Sequence, residues 1–306
     1  MPEALELWEQ PEKRPLVMIA GWQQWADAGS LSSGLPQYLI QETGARKIGT
    51  IKPDGFYLFQ IPGTHDLVRP VVKFDDGYPE ALKTQSNDLY YTEMGERGVV
   101  FFMGEEPHLD VERYSELFLD AGQKLGVERI VSVAGVYGEL PYNKERSVSC
   151  IYSLQSMKDE FERLAVNLSD YHGGASIGSY LCRRAGDRDM PYVGMYAFVP
   201  TYNFSNLQQV SNAIHIENDF MGWLGVMRRI NFMLKTTFDL GDLERKSQRL
   251  VEVLDAKIDE LESVTPGAGI REYFKELEDE FTEVLFDPLD DVWEDEIRRL
   301  FDDPEA

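Results

Sequence analysis

The first long apolar run, residues 16–20, stands between Pro15 and Gly21 and reads Leu-Val-Met-Ile-Ala. Apolar residues in a row, without alternation, describe a strand buried on both faces, because a strand with one wet face would alternate. Such a strand needs cover above and below, which points to a layered α/β architecture. The turn after it, Gly21-Trp-Gln-Gln-Trp-Ala-Asp-Ala-Gly29, puts Asp27 where a helix N-cap belongs, and Leu31, Leu35, Leu39 and Ile40 follow on one helical stripe. In open α/β sheets ligands gather at the carboxyl ends of strands, so Trp22, Trp25 and Asp27 are the first residues expected at a site.

The same grammar continues. Residues 98–103 read as a second central strand, and Gly104-Glu-Glu-Pro-His108 places polar groups at its carboxyl end. A helix over 110–125 closes with Gly126, and residues 129–134 form the next buried strand, with a polar, aromatic loop beyond it at Tyr142, Asn143 and Arg146. Strand, helix and strand with short joints predict parallel crossover units. Residues 46–52 and 87–91 read as further strands, and 53–76 as an irregular β excursion. Strands over 147–153 and 192–199 and helices over 154–164, from an opening at 172–178 to about 184, and over 206 to about 234 complete an α/β domain spanning 15–238. Beyond it, Leu240, Leu243, Leu250, Leu254, Leu261 and Val264 follow one heptad register, broken at Ser247 and Lys257. Residues 266–269, Pro-Gly-Ala-Gly, then separate a second amphipathic helix carrying Ile270, Phe274, Leu277, Phe281 and Leu285. A helical hairpin folded back on the domain is expected, forming a C-terminal extension over 239–306.

Charge narrows the partners. The 306-residue chain holds 54 acidic and 30 basic side chains, a net of −24, which disfavours binding to nucleic acid or to anionic membrane through any broad surface. From Asp239 onward 23 acidic and 8 basic residues give 8 − 23 = −15, so the extension carries most of the excess. No run approaches the roughly 18 apolar residues of a membrane span, and the first residues lack the basic and apolar regions of a secretory signal. Cys150 and Cys182 alone suit a reducing compartment. A cytoplasmic location is expected.

The common chemical motifs are missing. No phosphate loop, dinucleotide fingerprint, H-E-x-x-H or C-x-x-C occurs, so no metal or cofactor is expected. Gly174-Ala-Ser176-Ile-Gly178 formally matches the nucleophile elbow G-x-S-x-G, with Asp187 or Asp189 and His215 following in triad order. Against it, residues 167–172 make a poor strand and His215 falls within the predicted 206–234 helix. Small residues opening a helix more often serve packing or anion binding, and Ser176 is kept as the one catalytic candidate. His215, Glu217 and Asp219, two apart, point to different faces of a helix and cannot share an ion.

Taken in order, Gly21-Trp22 with Asp27-Ala28-Gly29, Gly104-Glu-Glu106-Pro107, Gly135 with Leu140-Pro141-Tyr142-Asn143, Gly174 to Gly178, and Val199-Pro200-Thr201-Tyr202 resemble the prokaryotic members of the proteasome assembly chaperone family. The family was formerly a domain of unknown function and is sometimes labelled an ATP-grasp superfamily. The resemblance implies a three-layer, phosphorylase/hydrolase-like α/β sandwich with a mostly parallel sheet, homo-oligomerisation, and a non-catalytic, protein-binding, chaperone-like role toward an unknown client. From their places in the chain, Trp22, Trp25, Asp27, Glu106, Tyr142, Asn143, Gly174 and Tyr202 are expected to cluster at the carboxyl edge of the sheet, as a ligand or partner cleft or an oligomer seam. Bacterial members carry histidine in the third and fifth of these motifs. Here Tyr142 and Thr201 stand after the prolines, which removes those groups from acid–base work. The alternative is a hydrolase or phosphorylase-like enzyme acting on a small molecule in the same cleft. The chain ends Pro304-Glu-Ala306, unlike the hydrophobic-Tyr tail with which some archaeal members dock, so that mode of docking is not expected.

Overall fold

The computed structural model describes residues 4–23, 25–60, 69–202, 214–265, 269–284 and 286. Its centre is β2 (Leu16–Gln23), which pairs in parallel with β7 (Arg97–Glu105) on one side and β8 (Arg129–Gly138) on the other. β8 in turn pairs in parallel with β11 (Tyr192–Pro200). Beyond β7 the sheet continues antiparallel through β6 (Asp88–Met94), β3 (Arg46–Ile51) and β1 (Leu5–Leu7). Beyond β11 lie β9 (Val148–Tyr152), antiparallel to it, and β10 (Asn167–Leu168), parallel to β9. The nine strands run β1-β3-β6-β7-β2-β8-β11-β9-β10. The four central strands are the parallel ones, as their unbroken apolar sequences require.

Alternate residues of the same strand enter different cores. Val17 and Ile19 join Val99, Phe101, Val131 and Met195 on one face, under α1 (Gly34–Thr43) and α4 (Phe220–Leu234). Leu16, Met18 and Ala20 join Phe102 on the other, under α2 (Val111–Leu125) and α3 (Ile177–Gly186), which contribute Phe118 and Leu181. Helices above and below one sheet make the three layers that the sequence resemblance implied.

Several local expectations shift, each for a physical reason. The first helix starts at Gly34 rather than Ser30, because residues 28–30 form a 3-10 turn around Gly29 at φ 60°. The predicted 154–164 helix is a succession of 3-10 turns over Gln155–Arg163, of which only Met157 and Phe161 reach the core. The predicted 206–234 helix begins at Phe220; residues 203–213 lie outside the described part, and 214–219 are not helical. The buried Asp219 is held by Arg146 through its side chain and by Gly29 O through its N–H, which fixes where the helix can start.

The extension folds back as expected. α5 (Gly241–Val264) lies along α4, with Ser247 Oγ donating to Phe220 O at 2.9 Å, so the polar break in the heptad is a buried contact. Its buried residues are Leu243, Ser247, Leu254 and Ile258 rather than Lys257, the drift by one residue of a straight helix against a 3.5 repeat. α6 (Ile270–Glu280) returns over it, burying Ile270 and Phe274. Apart from the main sheet, β4 (Val71–Asp75) and β5 (Tyr78–Lys83) form a two-stranded ribbon in which every residue is exposed. No helix of the described residues is long and apolar enough to cross a membrane.

Candidate functional site

The turn after β2 lies directly on the sheet, which two glycines permit. A Cβ on Gly21 would stand 1.8 Å from Ser32 O, and one on Gly135 2.0 Å from Ala28 O. Gly135 N donates to Ala26 O at 2.9 Å and holds the turn down. Asp27 then closes it: its carboxylate accepts from Ser32 N at 2.9 Å, Ser33 N at 2.8 Å and Ser33 Oγ at 2.6 Å. Burial pushes the Asp27 carboxyl above its usual range while these bonds pull it back. The helix-opening role expected of Asp27 is thus carried out on the amides just ahead of α1.

Glu106, at the end of β7, joins three elements. Its Oε1 accepts from Ile177 N at 2.6 Å in the first turn of α3, and the carboxylate also accepts from Trp25 N. An acidic group at a helix N-terminus is electrostatically favoured, yet burial outweighs this and raises the Glu106 carboxyl above its ordinary value. Beside it Ser176 is the N-cap of α3, its Oγ accepting from Ser179 N at 3.3 Å and lying 3.2 Å from Tyr196 Oη. Burial pushes the Tyr196 phenol up to about 12. The hydroxyl of Ser176 therefore sits among neutral hydroxyls and a backbone amide.

Outward from Ser176 opens a groove of about 340 Å³. Its walls are Trp25, Val136, Tyr137, Ile151, Tyr171, Tyr196 and Phe198, its polar points Ser149, Ser169, Ser176 and Ser179, with Gly174 at the rim. Among the described residues, none that lines it is charged or a histidine. Trp25 is 74% exposed and Tyr171 73%, unusual for such large rings. A second, smaller cavity behind it, bounded by Trp22, Glu106, Ser132 and Ser176, measures only about 10 Å³.

The residues expected in one cleft are divided by the structure. Trp25, Gly174 and Ser176 meet in the groove, with Glu106 and Trp22 behind it. Trp22 is itself core: its Nε1 donates to Tyr114 Oη at 2.9 Å and its ring packs on Phe102 and Phe118. Tyr142, Asn143 and Tyr202 lie elsewhere, under the helical hairpin. Tyr142 Oη donates to the Asp255 carboxylate of α5, Asn143 Nδ2 donates to Glu278 Oε1 of α6 at 2.8 Å, and Tyr202 Oη to Leu140 O at 2.8 Å. Phe274 of α6 covers both tyrosine rings at 5.3 and 4.7 Å between centroids. Other features of the site escaped the sequence reading. Tyr196 and Phe198 looked like core residues of an apolar strand, although their i, i+2 spacing puts them on one face. Arg146 and Asp219 form a fully buried ion pair, Nε to Oδ2 at 2.8 Å and Nη2 to Oδ1 at 3.2 Å. Nη1 also donates to the carbonyls of Pro141, Tyr142 and Lys144, so one guanidinium shapes the whole loop. Among the described residues no cluster of His, Cys, Asp or Glu is placed to hold a metal ion. Burial pushes both cysteine thiols up to about 12.

A sequence profile of the PAC2 family matches residues 21–258. The chain belongs to the PAC2 family. The match takes in the glycine-backed turn, the groove and α5 as far as Ile258, whereas α6 and Phe274 fall beyond it. Among solved structures, a PAC2 family protein from Streptomyces avermitilis superposes with a TM-score of 0.68 at 21% identity, covering 84% of this chain and 99% of that one. A proteasome-assembly chaperone homologue from Mycobacterium tuberculosis gives 0.68 at 19% identity, covering 84% and 99%. An archaeal proteasome activator from Pyrococcus furiosus gives 0.59 at 15%, covering 82% and 97%. At these identities the likeness is one of fold. Comparison with curated proteins gives no match.

Proposed function

We propose that this PAC2 protein is a non-catalytic, chaperone-like, protein-binding module that acts as a homo-oligomer in the cytoplasm. Residues 15–238 would form the binding body and 239–306 an acidic appendage. The groove carries this reading. Acid–base or nucleophilic chemistry at neutral pH is best served by His, carboxylate, Lys or Cys within reach of the reacting atom, whereas the described residues of the groove offer rings, aliphatic side chains and hydroxyls, with burial pushing the Tyr196 phenol up to about 12. Exposed Trp25 and Tyr171 are instead suited to anchoring an apolar stretch of another polypeptide, since aromatic anchors dominate protein interfaces. The chain's net charge of −24 argues against nucleic acid as the partner. The assembly-chaperone homologue and proteasome activator among the fold relatives support a protein partner, proteasome subunits included.

The test is native mass spectrometry of protein gently purified from its own cells, beside a Trp25→Ser/Tyr171→Ser variant. Stoichiometric polypeptide that the variant loses is the expected result. A stoichiometric small molecule lost by the same variant would overturn the reading.

A further inference from the structure

Two backbone amides from different elements converge beside the groove. Ile177 N opens α3 and Trp25 N belongs to the turn after β2, and both donate to the one carboxylate of Glu106, Ile177 N at 2.6 Å. Ile177 directly follows Ser176, so the pair has the layout of an oxyanion hole, in which the amide after a nucleophile elbow and an amide from a second strand's loop hold a single anionic group. The described lining of the groove offers Ser176 no carboxylate or histidine as a base, so what the pair retains is its affinity for an anion.

The wall behind the amides is unusual as well. Ser132 is 2% exposed, and its Oγ has no hydrogen-bond partner among the described residues. It lines the small cavity together with Glu106, Ser176 and Gly178, and a Cβ on Gly178 would stand 3.4 Å from it, so this hydroxyl faces the first turn of α3. A buried donor without an acceptor costs free energy, and one further oxygen at this place would satisfy it. Ala26 and Ser176 line both the cavity and the groove, and Trp25 is at once donor and groove wall, so the amide pair stands at the groove's inner end.

Glu106 is a costly occupant. Burial raises its carboxyl, and the side chains around it are Trp22, Ser132 and Ser176 with the phenols of Tyr114 and Tyr196, both also pushed upward by burial. On its own strand end Glu105 precedes it, and His108 follows with Nδ1 accepting from Leu58 N at 3.1 Å.

We propose that the Trp25–Ile177 amide pair is a carboxylate site, held by Glu106 while the groove is empty and taken by the C-terminal carboxylate of a polypeptide when the groove is filled. This rests on the polypeptide-binding reading above and names which part of the partner enters. The described lining holds no cation, so a carboxylate in the groove is satisfied at the amides, with Ser132 Oγ as a third donor. An internal Asp or Glu would need two ways out for its chain from a groove that ends at these amides, whereas a chain terminus needs one. Its last side chains lie between Trp25 and Tyr171, which suits apolar or aromatic terminal residues. One proton enters with the ligand. Glu106 becomes the neutral acid as the incoming carboxylate takes the amides, so the site still holds a single negative charge.

Calorimetric titration of the full chain with acetyl-Val-Val-Phe, carrying either a free or an amidated C-terminus, tests this without any substitution. The free acid is expected to bind at least about 10-fold more tightly than the amide at mildly acidic pH, as hydrogen bonds to a charged group require. Its affinity should rise as the pH falls toward the raised Glu106 value, since binding takes up a proton. Glu106→Gly empties the pair, and about 0.1 M acetate, against chloride of equal ionic strength, should then raise Tm by about 3 °C while leaving wild type unmoved. Adding Ile177→Pro removes the amide at the first helical position, which proline tolerates, and should cancel the acetate effect. An amide that binds as tightly as the acid, a failure of both peptides to bind, or acetate that does no more than chloride overturns the carboxylate site. The groove's polypeptide-binding role then stands or falls with the co-purification experiment, which does not depend on how the bound chain ends.

Discussion

Replacing Asp219 with alanine should be the most damaging single change in the loop region. The Arg146 guanidinium is fully buried and would lose its anionic partner together with two hydrogen bonds. The carbonyls of Pro141, Tyr142 and Lys144 remain as acceptors but carry no countercharge. Removing one member of a buried pair costs about 3–5 kcal/mol, because an uncompensated charge is left in low dielectric. For a chain of this size each kcal/mol lowers Tm by about 2–4 °C, so a fall of about 10 °C is expected. Thermal and urea unfolding give the readout. Arg146→Met/Asp219→Leu, which removes both charges, should recover much of the loss, and Glu80→Gln, which breaks only the exposed Lys73 pair, should cost nothing measurable. An Asp219→Ala protein within about 1 kcal/mol of wild type would refute the claim that this pair holds loop and turn together.

Ser176→Ala removes the cap of α3 and should cost about 1 kcal/mol in denaturant unfolding while leaving co-purified polypeptide unchanged; loss of the polypeptide without loss of stability would make the hydroxyl a binding group. Gly21→Ala should abolish folding, seen as absent near-ultraviolet dichroism, because its Cβ would meet Ser32 O at 1.8 Å. Glu106 has a pH signature. Its folded carboxyl titrates above the unfolded one, so the native state binds the extra proton and the cost of burying the charge is present above the folded value and gone below the unfolded one. Glu106→Gln should therefore be at least as stable as wild type at pH 7, and its advantage should fade as pH drops toward the ordinary carboxylate range; an advantage that grows on acidification contradicts the burial argument. Phe274→Ala should cost about 3–5 kcal/mol by opening a cavity over Tyr142 and Tyr202.

What the sequence revealed follows from how local each signal is. The central strands were legible because burial on both faces writes itself into consecutive residues, as in Leu16 to Ala20 and Val99 to Phe102. The helix opening around Ser176 and the turn at Asp27 were legible because the groups that form them lie within a few residues. Tyr142 and Tyr202 were misleading for the opposite reason: polar-tipped rings at strand ends resemble a cleft until Phe274, far along the chain, covers them. Asp219 read as an ordinary helix residue because nothing near it announces Arg146. The second ribbon strand was invisible for want of a pattern. Pro79 and Glu80 spoil the alternation, and the register shift after Lys73 is what lets the proline sit in a two-stranded edge.

The two ends of the former cleft illustrate how one PAC2 body can be specialised. At Tyr142 and Tyr202 the aromatic surface is closed by α6, an element beyond the family match, and bound in place by acidic side chains: Asp255, Glu278 and, through Lys144 and the Glu145 amide, Glu283. At Trp25 and Tyr171 the described chain supplies no such cover, and the groove stays uncharged. The distribution of charge follows from this. Acidic residues concentrated in the extension satisfy phenol and amide donors on one face while raising the repulsion that any second copy must overcome there. Under the proposed protein-binding role, a partner would be directed to the neutral face, where aromatic area rather than charge would decide what binds.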